Sequence, residues 1–499
     1  MNKKVLGLTL TSLLAVTTLA SCNKDDGKIH ISFWYSFGKD AAEPLLDQIK
    51  KFEEVYPEYK VDVETKGGYD NLKKAVSLGI PTGKFPDVTI GYPDHVAEYL
   101  SAGIVVPLDD FMNSTDPEIG IGEGAKNAKN DFLPNYMVEN RQYDEKGTTY
   151  GLPFNKSTEL MYYNKTVFDH FNIKVPETWT EFEQEGKKLQ TEIMKIVNNP
   201  DKKAKKITTK DGHTLDFSTI DGKKNQVRSF TYDSASNAFI TLIRDFGGTY
   251  TEVDKATGKG YLAFNEGESL TKTKEAMQML KDMSYINKEI QGSFAVPAFW
   301  QERYASNLFV KLQTFATIGS SAGAKHNLPT DNLFEVGVAP IPYNDKIDDG
   351  KNVIQQGTNI MMLDAHEDED IRTGAWKLVR FLTAYQDEET GYDPNAEFAI
   401  GASYLPVRTS GINSIAYQEF LKGGNNETPA DEIKRLSAET ANKYDDTWNK
   451  FVDPAFVGSS SVREKCGEII PTFTTGNKSV EEAMKIAVDQ LLPYVKPAK

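Results

Sequence analysis

Lys28-Ile29-His30-Ile31-Ser32-Phe33-Trp34-Tyr35 alternates polar and apolar side chains with the period-two pattern of a β-strand. Asp40 then offers a helix N-cap with Glu43 three positions later, and Leu45, Ile49, Phe52 and Tyr56 recur at helical spacing. Pro57 stops that helix, and Tyr59 to Thr65 alternates again. A Gly67-Gly68 turn leads to a helix near Asp70 to Leu78, and Asp87 to Tyr92 makes a third strand. Strands alternating with helices in this way predict an α/β fold with a mostly parallel sheet covered by helices.

The pattern restarts beyond Tyr150-Gly151-Leu152-Pro153-Phe154, with Thr158 to Tyr163 as a strand. Thr180 and Glu183 have the spacing of a capping box before a long helix to about Val197. Residues 199–228 are rich in Lys, Thr, Asp and Gly, with two Asp-Gly turn signals, and read as a surface hairpin or insertion. Its lysines read as a solvated face. Helices follow at Ser234–Phe246 and Glu268–Asn287, then strands at Thr314–Ile318, Phe334–Ala339 and Ile360–Leu363. The remainder is mostly helical, and Ser479 with Glu482 caps the last helix.

Upstream of the first strand, Lys3 and Lys4 precede a run from Val5 to Ala20 that is almost wholly apolar or small. A charged n-region and an h-region too short for a comfortable membrane span read as a signal peptide, residues 1–21. It ends in Leu19-Ala20-Ser21-Cys22, which resembles the bacterial lipobox, so Cys22 is the expected lipidation site. Each buried lipid methylene contributes about 0.8 kcal/mol, so several acyl chains hold a soluble body durably at the membrane. Residues 22–28 are the expected polar tether.

After the leader, well over four hundred residues remain, which suits two lobes better than one core. Hydrophobic content of 39 % excludes global disorder. The formal charge is −15, and losing Lys3 and Lys4 with the leader takes it to −17. An acidic chain argues against nucleic acid or an anionic membrane surface as the main partner. The second cysteine, Cys466, has no partner once Cys22 is acylated and reads as a buried thiol. The six histidines lack metal-ligand spacing, and the Asp-rich stretches follow no calcium-loop pattern, so neither a metal nor a cofactor is expected.

Several short segments, each weak alone, stand in a shared order. They include Phe33-Trp34-Tyr35-Ser36, Lys66-Gly67-Gly68-Tyr69, Gly151-Leu152-Pro153-Phe154-Asn155-Lys156-Ser157-Thr158 and Tyr162-Tyr163-Asn164-Lys165. Glu177-Thr178-Trp179, Gly319-Ser320-Ser321-Ala322-Gly323, Tyr404-Leu405-Pro406 and Thr475-Gly476 continue the series. With this order and spacing, nearly all of the chain past the leader resembles the family 1 extracellular solute-binding proteins of sugar-type ABC importers. The nearest likeness is to the glycerol-3-phosphate receptors, with the maltose receptors more distant.

That resemblance implies a two-lobed periplasmic-binding-protein-like fold of type II with the ligand cleft between the lobes. Residues 29–152 and 315–363 would form one lobe, and 153–314 and 364–499 the other, with crossings near Leu152–Phe154, Gln313–Phe315 and Leu363–Asp364. Hinge closure then buries a small polar solute. The partners implied are a sugar, the permease subunits of an ABC importer and, through the lipid on Cys22, the outer face of the cytoplasmic membrane. The receptor is expected as a monomer.

In open α/β sheets ligands sit beyond the carboxyl ends of strands, which selects Tyr35 and Ser36, Gly68 and Tyr69, Tyr92 to Asp94, and Ser320 and Ser321. The resemblance adds Ser157, Gly357 and Tyr404, and matches Tyr69 and Ser321 independently. For Trp34 and Tyr35 the alternative is core packing. Trp179 reads as core, and Trp300 is left open. Departures from the family pattern bear on the ligand. Tyr92-Pro93-Asp94 places the acid one position late, and Tyr232-Asp233-Ser234-Ala235-Ser236 replaces two tryptophans. The arginine suited to a phosphate has no match in Phe456-Val457-Gly458-Ser459-Ser460, and Arg463 reads as helical and structural. A neutral sugar, with Asp94 and Asp233 accepting hydroxyl hydrogens, is therefore expected over glycerol-3-phosphate or a glycerophosphodiester. No catalytic residue is assigned.

Three other classes compete. Gly319-Ser320-Ser321-Ala322-Gly323 satisfies G-x-S-x-G, and a serine hydrolase would use Ser321 with Asp364 and His366, although these two lie too close together to suggest separate loops. Paired carboxylates for glycoside hydrolysis have no spacing to support them. A surface adhesin would close on no solute.

Overall fold

The computed structural model describes residues 26–497, apart from 123–127, 209–211, 213, 221–226, 286–291, 388, 425–426, 445 and 477. The leader and Cys22 lie outside the described residues, as do parts of the 199–228 insertion.

A ten-stranded sheet organises the chain. Its strands are β1 (Ile29–Tyr35), β2 (Tyr59–Thr65), β3 (Val88–Gly91), β4 (Leu152–Asn164), β5 (Phe230–Tyr232), β6 (Phe294–Ala295), β7 (Ala316–Ser320), β8 (Val336–Ala339), β9 (Asn352–Met362) and β10 (Asn449–Phe451). The spatial order is β6-β5-β7-β4-β9-β3-β1-β2, with β8 also paired to β4 and β10 to β9. β1 runs parallel to β2 and β3, as the opening alternation predicts. The two long strands β4 and β9 run antiparallel to each other and carry the sheet from one half of the molecule to the other.

Two separate apolar cores flank those strands. One gathers Ile31, Phe33, Leu45, Phe52, Leu152, Phe154, Ile360 and Trp376. The other gathers Leu160, Trp179, Phe230, Ile318, Val353, Ile354 and Ile470. β4 therefore changes lobe between Phe154 and Leu160, and β9 between Ile354 and Ile360; the third passage falls between Val407 and Ile433. This corrects the expected segmentation. Residues 315–354 belong with the second lobe, because Ala316–Ser320 pairs with both Tyr163–Glu159 and Phe230–Tyr232. Residues from 364 to about 407 belong with the first, because the helix Glu369–Ala384 packs on β1.

The helices that bear on the cleft are α1 (Lys39–Val55), α2 (Tyr69–Gly79), α3 (Pro93–Ser101), α4 (Pro134–Asn140), α5 (Trp179–Val197), α6 (Ala235–Asp245) and α7 (Ser459–Gly467). α1 begins one residue before Asp40, and its N-cap is Gly38, which supplies no side-chain bond. α5 is capped by Thr178, which accepts from the Glu181 N–H at 3.2 Å, so the start lies two residues before the expected capping box. The capping box of Ser479 and Glu482 is present. In the insertion, Lys206–Thr208 and Thr214–Asp216 pair as the two strands of a hairpin. Trp179 is core, 2 % exposed, and donates its indole N–H to Asp245 at 2.7 Å.

β9 is much longer than the apolar run Ile360–Leu363 suggested. Its stretch Gln355-Gln356-Gly357-Thr358-Asn359 is polar because it passes through the junction of the lobes, where polar groups are paired internally, whereas Val353 and Ile354 before it pack into the second core. There the Lys156 ammonium and the Glu139 carboxylate, both fully buried, meet at 2.5 Å. Asn359 and Gln355 also donate to Glu139, at 3.1 and 2.5 Å. A buried ion pair survives only when further donors satisfy its remaining lone pairs, and this one has them.

Candidate ligand cleft between the lobes

A cleft of about 1110 Å³ lies where these elements converge. The first lobe contributes the N-terminal turns of α2 (Tyr69, Asp70, Lys73) and α3 (Tyr92, Asp94, His95). The second contributes those of α6 (Ser236, Asn237) and α7 (Ser459, Ser460, Arg463). Ser157 of β4 and Gln355–Gly357 of β9 line it from the junction. Helix N-termini present free N–H groups and partial positive charge, so the cleft is provided with donors before any side chain is counted.

Its aromatic wall is Tyr69 against Tyr92, ring centroids 4.8 Å apart, with His95 edge-on to Tyr92 at 5.5 Å. The Tyr69 hydroxyl accepts from the Asn155 amide at 3.2 Å. Gly357 has φ +92°, and a Cβ there would lie 1.9 Å from the Asn155 carbonyl oxygen, so only glycine allows β4 and β9 to approach this closely.

The electrostatics rest on Asp94 and Arg463. Burial opposes the charge of Asp94, but His95, a hydrogen bond from Ser460, Lys73 and Arg463 together hold its carboxyl below the ordinary range. Burial likewise opposes the Arg463 cation, and Asp453 leads the groups that outweigh it and raise its pKa. The Arg463 guanidinium donates to Asp453 and to Asn237. Arg463 is helical as expected, yet it lines the cleft. The expectation that it serves structure alone is corrected, because α7 starts at the cleft and its first turn faces inward.

Of the residues nominated from sequence, Tyr69, Asp94, Ser157, Ser320, Gly357 and Tyr404 line this cleft. Ser36 lines a smaller adjoining chamber. Four others line neither. Tyr35 is packed between Phe33 and Phe37, with centroids 6.2 and 6.0 Å away. Tyr232 is fully buried and donates its hydroxyl to Glu159. Asp233 accepts the Ala305 N–H at 2.5 Å. Ser321 is 2 % exposed, and its hydroxyl accepts from the Thr158 N–H at 3.2 Å. Each sits at a strand end, Tyr35 and Ser321 as the positional rule required, but its side chain is turned into the protein. Trp34 lies under the Lys66 ammonium at 3.6 Å, and Trp300 packs edge-on to Phe299.

Tyr92, which the strand-end rule selects, lines the cleft, but sequence reading missed Lys73, Asn237, Gln356 and the serines and arginine of α7. It also missed Glu159 beneath the cleft, which accepts from Asn237 at 2.7 Å. Burial raises the Glu159 pKa to about 7 despite bonds from Tyr232 and Asn237. The triad alternative gains nothing from the geometry. Asp364 pairs with Arg372 at 2.5 Å, His366 lies 3.6 Å from Asp87, and Ser321 bonds backbone. Among the described residues no group of three or more potential metal ligands occurs, and no helix is long and apolar enough to cross a membrane.

Two α/β lobes joined by crossing strands, with a hydroxyl-lined cleft between them, define a two-lobed solute receptor. Residues 47–420 match the model of the bacterial extracellular solute-binding proteins, and the chain belongs to that family. It is 22 % identical to the sn-glycerol-3-phosphate-binding periplasmic protein UgpB of Shigella dysenteriae over 474 residues, covering 92 % of this chain and 91 % of the relative. Among solved structures, UgpB of Mycobacterium tuberculosis in complex with glycerophosphocholine superposes with a TM-score of 0.66 at 18 % identity, covering 94 % of this chain and 98 % of that one. The GacH receptor of Streptomyces glaucescens, solved unliganded and with acarbose, gives 0.65 at 16 % identity, covering 94 % and 99 %. These likenesses establish the two-lobed fold.

Proposed function

We propose that this protein is the capturing receptor of an ABC importer, closing its lobes on a neutral carbohydrate and delivering it to the permease. The observation that carries this reading is the pairing of Arg463 with Asp453 and Asn237. The cleft's arginine is already neutralised, and Ser157, Ser236, Ser460 and the hydroxyls of Tyr69, Tyr92 and Tyr404 supply the lining with neutral groups that can exchange their present partners for those of a hydroxylated ring. Asp94 accepts a sugar hydroxyl, and the Tyr69–Tyr92 wall covers apolar C–H faces. Tyr35, Tyr232, Asp233 and Ser321 support this cleft from behind. Cys22 carries the lipid that keeps the receptor beside its permease, raising the local concentration of loaded receptor there.

A second reading, binding of glycerol-3-phosphate or a glycerophosphodiester, is supported by the position of Arg463 in the cleft and by the ligands named for the UgpB relatives. Calorimetric titration against mono- and oligosaccharides and against glycerol-3-phosphate separates the two. Saturable sugar binding with none for glycerol-3-phosphate is expected, and the reverse result overturns the carbohydrate reading. Acyl-chain labelling lost in Cys22→Ser tests the anchor.

A further inference from the structure

A smaller cavity of about 290 Å³ adjoins the cleft, and Tyr69 and Tyr404 line both. One wall is the start of α1, a helix of 17 residues whose N-cap, Gly38, offers no side-chain oxygen. Ala41 and Ala42 turn their N–H groups back to the Gly38 carbonyl, at 3.2 and 2.9 Å. Those of Lys39 and Asp40 have no acceptor among the described residues. Beside them Ser36 is 7 % exposed, and its Oγ is buried with no hydrogen-bond partner among the described residues. An unpaired buried hydroxyl is unfavourable, so its persistence beside free N–H groups points to an acceptor that arrives from outside.

The charges around the chamber point the same way. Lys39, Lys325 and His326 line it, with Asp40 as the only carboxylate in its lining. Lys325 lies 3.6 Å from Asp40, and Lys39 reaches Glu43 only at 3.8 Å on an exposed face. Lys434 stands just behind, bonded to the Gly401 carbonyl of the chamber wall at 3.2 Å. Burial leads in pulling the Lys434 pKa below the ordinary lysine range, with repulsion from Lys325 next, while Asp431, 3.8 Å away, and Asp40 oppose the shift.

We infer that this chamber binds a small oxyanion, a phosphate or carboxylate group, with Ser36 Oγ and the first N–H groups of α1 as donors and Lys325 as counter-charge. The inference goes beyond the carbohydrate reading of the main cleft and stands or falls separately from it. The group arrives either as a free anion or as the acidic end of a solute whose neutral ring lies past Tyr69 and Tyr404.

The test is a thermal-shift and calorimetric titration of the full chain with sodium phosphate against sodium chloride at matched ionic strength. Saturable, phosphate-specific stabilisation is expected, weakened about ten-fold in Ser36→Ala and in Lys325→Gln by loss of a charge-assisted contact. Absence of an anion-specific shift overturns the inference, as does wild-type phosphate affinity in both variants. Lys325 is on the surface, so its variant carries the test if Ser36→Ala folds poorly. A uronic acid titrated beside its neutral parent sugar separates the sources. Phosphate competing with the acid alone marks the group as the solute's end, and phosphate binding without competition marks a free anion. Sugar binding with no anion binding removes the chamber and leaves the cleft reading. Anion binding with no sugar binding does the opposite.

Discussion

The Asp94 carboxylate, at the start of α3 in the first lobe, faces Ser460, at the start of α7 in the second, and Ser460 is one of the groups that favour its charge. The contact spans the cleft, so the two lobes touch through a polar pair that a solute hydroxyl can replace. A solute hydroxyl in the place of Ser460 would exchange one charge-assisted contact for another.

Asp94→Asn keeps the shape and removes the charge. Solute affinity is expected to fall about ten-fold or more, read by calorimetry. The wild-type carboxyl titrates below its ordinary range. Its contribution to stability is therefore full above the ordinary carboxylate pKa and disappears as pH falls through the depressed folded value. The variant loses that acid-side dependence.

Gly357→Ala combines a strained φ of +92° with a Cβ placed 1.9 Å from the Asn155 carbonyl oxygen. Denaturant unfolding is expected to show a loss of about 3 kcal/mol, from strain plus overpacking between β4 and β9.

Glu159→Gln tests the buried acid under the cleft. Burial lifts its folded pKa from the ordinary 4.5 to about 7. The folded state thus holds a proton that the unfolded state releases, and wild-type stability declines as pH rises from 4.5 to 7. The decline attributable to this group is about 3 kcal/mol, and the variant's melting temperature is expected to be flatter across that window.

Lys156→Met leaves the Glu139 carboxylate buried without its cation. A loss of about 3–5 kcal/mol is expected, and adding Glu139→Gln is expected to restore part of it, since the stranded charge is then gone. Equal stability of the single and double variants counts against a coupled pair.

The first three strands and their helices were readable because each is amphipathic by itself: β2 runs from Tyr59 to Thr65 as its alternation foretold. β9 was half-hidden. Gln355 to Asn359 carries no apolar alternation, since that stretch lies among polar partners at the lobe junction and not against an apolar core. Tyr69 was placed at the cleft by its strand-end position, and Gly357 by the family resemblance. The site was not legible where the direction of a side chain mattered. Asp233 and Ser321 stand at the right strand ends, but Ala305 and Thr158 take their oxygens inward.

By itself the sequence determined the α/β class, the family, most of the elements and the expectation of a leader ending at Cys22, because these follow from local periodicity and from motifs that are contiguous in the chain. Only the tertiary structure decided which segments share a lobe, that Arg463 faces the cleft with Asp453 and Asn237 already on it, and that Ser36 keeps an unpaired hydroxyl beside the start of α1. Those facts depend on which distant groups come to share a buried volume, since only there must every donor and charge be paired or left waiting for a ligand.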